Sequence, residues 1–324
     1  MDKVLPSDVI ADESGLSIGQ NDIPVVWPNV TILVLNYNNI QDTLETLSSV
    51  YLLEYNNFNI LLVDNGSDKE VVEEIRTRFP DIEILENGKN LGYAGGNNAG
   101  FRLIIERGAD YIYLLNNDLL VPPDSLDHLV PVMEKQKDCA ACQPLVVYYG
   151  HPEKVWSAGS ELYFGYPRLF LKNSMKQQNG VITPPFGLVG CAILFRASVL
   201  AEIGFFDESL FLMHEETDWC IRAKYCGYSL LVDTDTEVQH KISTTLGRYS
   251  HKYLYYISRN WLLVSKEHFS HSFYTYVLFT EFFIRIPYYV VHLVRSGQPG
   301  WIFYYLAGIW DGITGERGER KDYL

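Results

Sequence analysis

Tyr111-Ile112-Tyr113-Leu114-Leu115-Asn116-Asn117-Asp118 is the stretch on which the reading of this chain turns. Five residues of strong strand character run directly into two amides and a carboxylate. A short apolar run that stops on polar side chains has the pattern of a buried parallel strand ending at the rim of a sheet. Ligands of open α/β sheets sit outside the carboxyl ends of such strands. Asp118, flanked by amides, is suited to hold one hard divalent cation through oxygen while leaving positions open for phosphate. Asn-Asn-Asp is equally an ordinary turn composition, so the assignment depends on what flanks it.

Upstream, Val30–Leu35 and Phe58–Val63 are two more apolar runs, and they stop on Asn36-Tyr37-Asn38-Asn39 and Asp64-Asn65-Gly66-Ser67-Asp68. Ile40–Leu53 carries Leu44, Leu47 and Val50 at helical spacing, Val71–Phe79 reads as a short helix, and Ile82–Leu85 as a third strand. Asn90-Leu91-Gly92-Tyr93-Ala94-Gly95-Gly96-Asn97-Asn98-Ala99-Gly100 then opens a helix to about Arg107. The alternation predicts an α/β fold with a doubly wound, mostly parallel sheet and helices on both faces. The Gly-rich helix start offers backbone N–H groups to a phosphate. It lacks the dinucleotide fingerprint and any Gly-Lys-Ser/Thr, so one mononucleotide-like crevice is expected.

Further on, a helix is expected to about Lys137, strands over Ala141–Tyr149, Glu161–Phe164 and Gly187–Phe195, and a polar loop over Lys172–Pro185. Glu215, Glu216 and Asp218 fall in the first turn of a helix to Tyr225, where carboxylates suit the helix dipole and Asp218 can pair with Arg222. Three acids so close together call for a compensating partner such as a metal or an acceptor hydroxyl. Tyr228–Val232 is a further strand leading to His240.

The 324 residues are 47% hydrophobic and 20% charged, enough for a large core and too apolar for wholesale disorder. A net charge of −14 argues against a nucleic-acid binder. Lys241 to the C-terminus nevertheless holds ten Lys and Arg against six Asp and Glu, a balance of +4 that leaves −18 on the first 240 residues. Five cysteines imply no disulfide framework, Cys139-Ala140-Ala141-Cys142 has no second pair and reads as packing, and Met1–Gln20 lacks a signal-peptide core. A cytoplasmic setting is expected.

Asn36-Tyr37-Asn38, Val63–Ser67, Asn90–Asn98, Leu115–Asp118, Gly190-Cys191-Ala192, Gly204–Glu208, Glu215–Asp218 and His240 occur in the order found in family 2 glycosyltransferases. The chain resembles that family over roughly residues 29–265, and most its rhamnosyltransferase-like branch. The resemblance implies a GT-A fold, a nucleotide-diphosphate sugar donor, a divalent cation (Mg²⁺ or Mn²⁺) and inversion at the anomeric carbon. It places the donor against Asn36, Asp64, Asn65, Asn90, Gly95, Gly96, Asn97 and Asn117, with Asp64 accepting from the base. It puts the metal on Asp118 and His240 and the general base on Glu216, with Glu215 and Asp218 the alternatives. Asn116 stands where the family carries the first metal-motif acid. The branch points to a dTDP- or UDP-linked sugar and a glycan or lipid-linked glycan acceptor. A sugar-phosphate nucleotidyltransferase would need a basic Gly-rich loop early in the chain, and Asn36–Asn39 holds no Lys or Arg. A non-catalytic nucleotide-sugar binding module would not need the acidic cluster.

Residues 1–28 read as a loosely ordered lead-in and 266–324 as an aromatic-rich helical tail. A membrane-crossing helix needs about 20 apolar residues. Glu281, Arg285 and Arg295 interrupt the tail, and Pro287 is expected to kink it. The longest run there without a charged residue is the 15 residues Ser296–Trp310. Helices lying in the bilayer interface on the cytoplasmic face are therefore expected. The competing role is a packed helical subdomain or homodimer contact.

Overall fold

The computed structural model describes residues 27–170, 180–242 and 250–321, so nearly all of the lead-in and part of the 172–185 loop lie outside it. The first half follows the alternation: β1 (Val30–Asn36), α1 (Ile40–Val50), β2 (Phe58–Asp64), α2 (Lys69–Arg78), β3 (Glu83–Glu86), α3 (Gly92–Glu106) and β4 (Tyr111–Asn116). Next come β5 (Leu119–Leu120), α4 (Ser125–Lys135), β6 (Cys139–Tyr148), β7 (His151–Ser157), β8 (Ser160–Tyr163), β9 (Tyr166–Leu169), β10 (Val181–Ile182), β11 (Ala192–Arg196) and α5 (Ala197–Ile203). The chain continues with α6 (Glu215–Tyr225), β12 (Ser229–His240), α7 (His251–His268), α8 (His271–Thr280), α9 (Ile286–Arg295) and α10 (Ile302–Thr314).

The main sheet runs in the order β10-β12-β6-β11-β4-β1-β2-β3. Strands β4, β1, β2 and β3 are mutually parallel, and β12 is parallel to β6. The strand expected over Gly187–Phe195 is shorter and reversed, for β11 runs antiparallel to both β4 and β6. That reversal pairs Ala192 with Leu115 and so brings Gly190 and Cys191 to the carboxyl rim of β4. Two apolar layers sandwich the sheet: Leu47, Ile75, Leu126 and Met133 cover one face, and Phe101, Ile104, Leu200 and Trp219 the other. Cys139 and Cys142 are buried in the first of these layers.

The tail departs from expectation. Residues His271–Arg295 form one continuous helical run of 25 residues, with a π-turn at Glu281–Arg285 between α8 and α9. It is long and apolar enough to cross a membrane by length and composition. The interruption expected at the charges is absent because Glu281 and Arg285 pair with each other at 3.2 Å on the protein side. Glu281 accepts from Tyr305, and the Arg285 guanidinium lies 3.2 Å from the Tyr166 ring centroid. Pro287 falls in the first turn of α9, and the wider π-turn before it supplies the room that a proline ring takes from the preceding turn. Helix α10 crosses α7 where Gly308 faces Ser258 and Gly312 faces Leu262, so close that a Cβ on either glycine would collide. The helices α7–α10 share an apolar core with Tyr166, Leu210 and Ile221 of the sheet domain.

Candidate active site

Strand register brings the polar strand ends together. Asn36 lies opposite Asp64, and Leu35 opposite Asn116. The Asn36 amide donates to Asp64 Oδ1 at 3.0 Å and to Ser67 Oγ at 3.1 Å, while Asp64 Oδ2 accepts from the N–H groups of Gly66 and Ser67 at 3.1 and 3.0 Å. Thr43 Oγ1 donates to Asn36 Oδ1 and accepts from Asn117 Nδ2, each at 2.8 Å. Asn36, Asp64 and Asn117 thus share one network with Ser67 of the same polar strand end and with Thr43, which had no signal in the spacing. Asn65 straps the next loop down by donating to Asn90 Oδ1 and Gly92 O and accepting from the Leu91 N–H.

The Gly-rich start of α3 has a different surrounding from the phosphate cradle expected. The Tyr93 N–H donates to Phe211 O at 2.7 Å and the Gly92 N–H to Asn90 Oδ1 at 2.8 Å, so the chain itself caps this helix. A Cβ on Gly96 would lie 2.7 Å from Leu35, and one on Gly95 2.9 Å from Leu91. Asn97 is buried and donates to Tyr93 O. Gly96 therefore sits within the helix–sheet contact, Gly95 packs on the start of its own helix, and Asn97 bonds back to that helix.

Asp118 and His240 meet because β5, directly after Asp118, pairs with the end of β12, His240 facing Leu119. His240 Nε2 is 3.1 Å from Asp118 Oδ2, and both side chains are almost fully buried. The Trp156 ring stands edge-on to the imidazole at 4.5 Å. A carboxylate oxygen beside an imidazole nitrogen is a donor set that suits Mn²⁺ or Mg²⁺. Among the described residues no third His, Cys, Asp or Glu joins them, so the remaining coordination positions would fall to other oxygen donors.

The three acids of α6 part company. Asp218 is spoken for: one oxygen accepts from Arg222 at 2.9 Å and the other meets His268 Nε2 at 2.6 Å. Burial alone would raise its pKa, but the His268 hydrogen bond and the Arg222 charge hold it below the usual carboxylate value. Glu215 is buried and, among the described residues, its Oε2 has no hydrogen-bond partner. Burial and the adjacent Glu216 charge push its pKa well up. Glu216 is less enclosed and lies over Gly190, whose missing Cβ would be 3.4 Å from Glu216 Cγ. Burial raises it too, against the stabilising N–H groups of Glu216, Thr217 and Gly190. Burial drives the Cys191 thiol pKa up, and the Asp118 and Glu216 carboxylates add to the rise; its carbonyl accepts from the Asn116 N–H at 2.8 Å, and it follows Gly190, against which Glu216 packs. Tyr93, which sequence spacing did not single out, ties the same wall together by donating its hydroxyl to Gly190 O, with Asn116 Oδ1 3.0 Å from the same oxygen.

The segment that delivers Glu215 is strained. Phe211, Met213 and His214 have φ of 66°, 71° and 72°. The Leu212 N–H donates to Leu210 O at 2.8 Å, a tight turn about Phe211. Asn260 of α7 holds it, its amide nitrogen lying 2.9, 2.7 and 2.8 Å from Leu210 O, Leu212 O and Met213 O and sharing its two hydrogens among them. Arg259 adds a bond to Leu210 O at 2.9 Å. An Arg-Asn pair inside an apolar helical stripe was the one sequence sign of this clamp.

Comparison with known proteins agrees with this geometry. The chain is 24% identical over 246 residues to the Low-salt glycan biosynthesis hexosyltransferase Agl10 of Haloferax volcanii, covering 75% of this chain and 78% of the relative. It is 26% identical over 224 residues to the N-acetylglucosaminyl-diphospho-decaprenol L-rhamnosyltransferase of Mycobacterium tuberculosis, covering 62% of this chain and 72% of the relative. The fold is similar to that of the mannosyltransferase PcManGT from Pyrobaculum calidifontis, solved with GDP-Man and Mn²⁺, at a TM-score of 0.54 and 14% identity over 90% of this chain and 89% of that one. It is also similar to GalNAc-T7, solved with UDP, GalNAc and Mn²⁺, at a TM-score of 0.56 and 16% identity over 74% of this chain and 48% of that one. These likenesses establish the GT-A fold. Residues 31–204 match the profile of Glycosyl transferase family 2, and with more than half its length inside that match the chain belongs to the family and is a glycosyltransferase.

Proposed function

We propose that this enzyme is an inverting transferase that moves a sugar, of the rhamnose class, from a dTDP- or UDP-linked donor to a hydroxyl of a lipid-linked glycan. The observation that carries the reading is that the Asp118–His240 pair follows the end of β4, where the Asn116 N–H donates to Cys191 O, while Glu216 packs on the neighbouring Gly190. Asp118 and His240 would hold a divalent cation, which offsets the charge of the departing diphosphate. The Asn36–Asp64–Ser67 network offers a carboxylate and amides to the nucleotide base. Glu216, with the more exposed carboxylate of the raised pair, takes the proton of the acceptor hydroxyl as that oxygen attacks the anomeric carbon. Glu215 beneath it keeps its own proton longer because it is more deeply buried. Attack opposite the leaving diphosphate inverts the configuration.

The tail belongs to the same reading. Phe279, Phe283, Val294, Phe303 and Trp310 are all more than half exposed. One side of the long helix is nevertheless buried on the protein through Val277, Glu281, Tyr289 and Leu293. A helix fastened lengthwise in this way would lie in the interface of an anionic cytoplasmic leaflet rather than be ringed by lipid. The test is a donor panel with and without Mn²⁺, scored for transfer and for product configuration. Glu216→Gln should keep donor binding and lose transfer, and a retained anomer or an undiminished variant would refute the assignment.

A further inference from the structure

We propose that the β8–β9 hairpin of the sheet domain dips its tip into the bilayer interface beside α8, so that the lipid surface is held next to the catalytic acids. This rests on the membrane reading above and extends it from the tail to the transferase domain.

The tip is built against the usual rules. Tyr163 pairs with Tyr166, leaving Phe164 and Gly165 as a two-residue connection with φ of 49° and 72°. Positive φ at both positions is the hairpin turn that favours Asn-Gly, and a bulky residue in the first position is sterically disfavoured. Here that position carries Phe164, half exposed at 50%, with Tyr163 at 49% and Leu162 at 36% beside it. Water rewards none of this, whereas an apolar tip in an interface does.

The hairpin is also fixed in place. Trp261 Nε1 donates to Gly165 O at 2.9 Å, and Tyr166 OH donates to Ile257 O at 3.0 Å. A Cβ on Gly165 would sit 2.9 Å from the Tyr276 ring, so only glycine lets the tip close onto α8. Tyr276 is itself 42% exposed and leads to Phe279 and Phe283, which makes the tip and the helix one continuous apolar strip. The Arg168 guanidinium stacks 3.7 Å from the Tyr163 ring centroid and pairs with Glu161 at 2.8 Å, so the tip presents aromatic surface without net charge. Aromatic side chains of this kind match the interfacial belt of a bilayer, and the strip runs on into the His271–Arg295 helix, which is long and apolar enough to cross one.

The placement serves the reaction. The Tyr166 ring centroid is 6.3 Å from that of His214, the residue before Glu215. Ser160, at the root of the hairpin, bonds to Gly187, which leads into Gly190 beneath Glu216. An acceptor anchored by a lipid chain would thus present its hydroxyl close to where it must react.

The experiment uses the full-length chain with vesicles of phosphatidylcholine and phosphatidylglycerol. Cys226 is the one exposed cysteine among the described residues, so Cys226→Ser with Phe164→Cys gives a single accessible site for a polarity-sensitive dye. The dye should shift to the blue on vesicle addition and be quenched by brominated lipid. Phe164→Asn, which suits the turn better and should fold at least as well, should weaken vesicle partitioning about tenfold. If the parent chain binds vesicles while the dye stays unshifted and Phe164→Asn binds equally, the hairpin inference is overturned and the tail reading stands. If the parent chain does not sediment with vesicles at all, the membrane reading itself fails. A dye shift that follows protein concentration instead of lipid would assign the strip to a second copy of the chain and overturn the proposal.

Discussion

Asn260 is fully buried on α7, and its side-chain amide reaches three carbonyls of the segment that leads into Glu215 and the proposed base Glu216. Replacing it with leucine keeps the size of the side chain but removes both N–H donors. A buried hydrogen bond of this kind contributes about 1 kcal/mol net, and the amide has two hydrogens to share among the three carbonyls, so it contributes roughly 2 kcal/mol. The positive-φ residues Phe211, Met213 and His214 cost about 1–2 kcal/mol each, so the strain available for release is at least as large. Without the clamp the segment relaxes, and Glu216 leaves its place over Gly190. A shift of roughly 2 kcal/mol corresponds to about a thirtyfold fall in the competent population. Asn260→Leu should therefore lower kcat about thirtyfold, with donor affinity by calorimetry and donor KM within about threefold of the parent. Asp64, Asp118 and His240 are anchored elsewhere in the sheet, which is why the two readouts separate. Asn260→Asp, which cannot donate to carbonyls, should behave alike. A kcat within about threefold of the parent, or a loss of donor affinity matching the loss of kcat, would refute the clamp.

Asp118→Asn should abolish the Mn²⁺-dependence of nucleotide-diphosphate binding in a calorimetric titration while leaving the melting temperature nearly unchanged. The raised pKa of Glu216 predicts that kcat/KM climbs with pH along a limb lying above the ordinary carboxylate value of 4.5, and Glu216→Gln should flatten that limb. Glu215 is likewise raised when folded, so its ionisation costs stability as pH climbs from the unfolded value through the folded one. Glu215→Gln should then raise the melting temperature at pH 7, with the gain vanishing below about pH 4. Asp218 has the opposite sign: its contribution is present at neutral pH and lost in acid, and Asp218→Asn should cost about 3 kcal/mol in denaturant unfolding at pH 7 because Arg222 and His268 lose their partner.

The strands whose apolar runs stop on Asn or Asp were legible because register is a local matter. Val30, Phe58 and Tyr111 begin runs that fold as parallel neighbours with their polar ends level. The direction of β11 was not legible, since a short buried strand reads the same in either sense and only its partners on both sides decide. Asp218 shows how far a local reading goes. Its bond to Arg222 follows from the i,i+4 spacing, whereas His268 lies 50 residues on and joins through the docking of α7. The glycines after Asn90 were visible, but their use was not, for a phosphate cradle and a tight helix–sheet contact ask for the same small residue. The tail misled for a related reason: Glu281 and Arg285 look like breaks in an apolar run until Tyr166 and Tyr305 show them facing inward.

Those inward charges bear on how the two parts of the enzyme communicate. Arg285 lies on the Tyr166 ring, Tyr166 donates to Ile257 of α7, and three residues further along that helix Asn260 grips the strained turn. His214 ends that turn, enclosed between the Tyr166 and Trp261 rings, with its pKa pushed down to about 3 by burial and the Arg285 charge. A neutral imidazole there adds no charge next to Glu215, so the raised pKa of the acid pair is preserved. Every link in this series is a buried contact between the long tail helix, α7 and the residues before α6. A tail that merely tethered the enzyme would need none of them. Cutting the chain before Phe269 would strip α7 of its partners and expose the apolar core it shares with Ile221 of α6. Loss of the proposed membrane binding and loss of turnover would then arrive together, and surface substitutions on Phe279, Phe283 or Trp310 are the variants that test the proposed anchoring apart from catalysis.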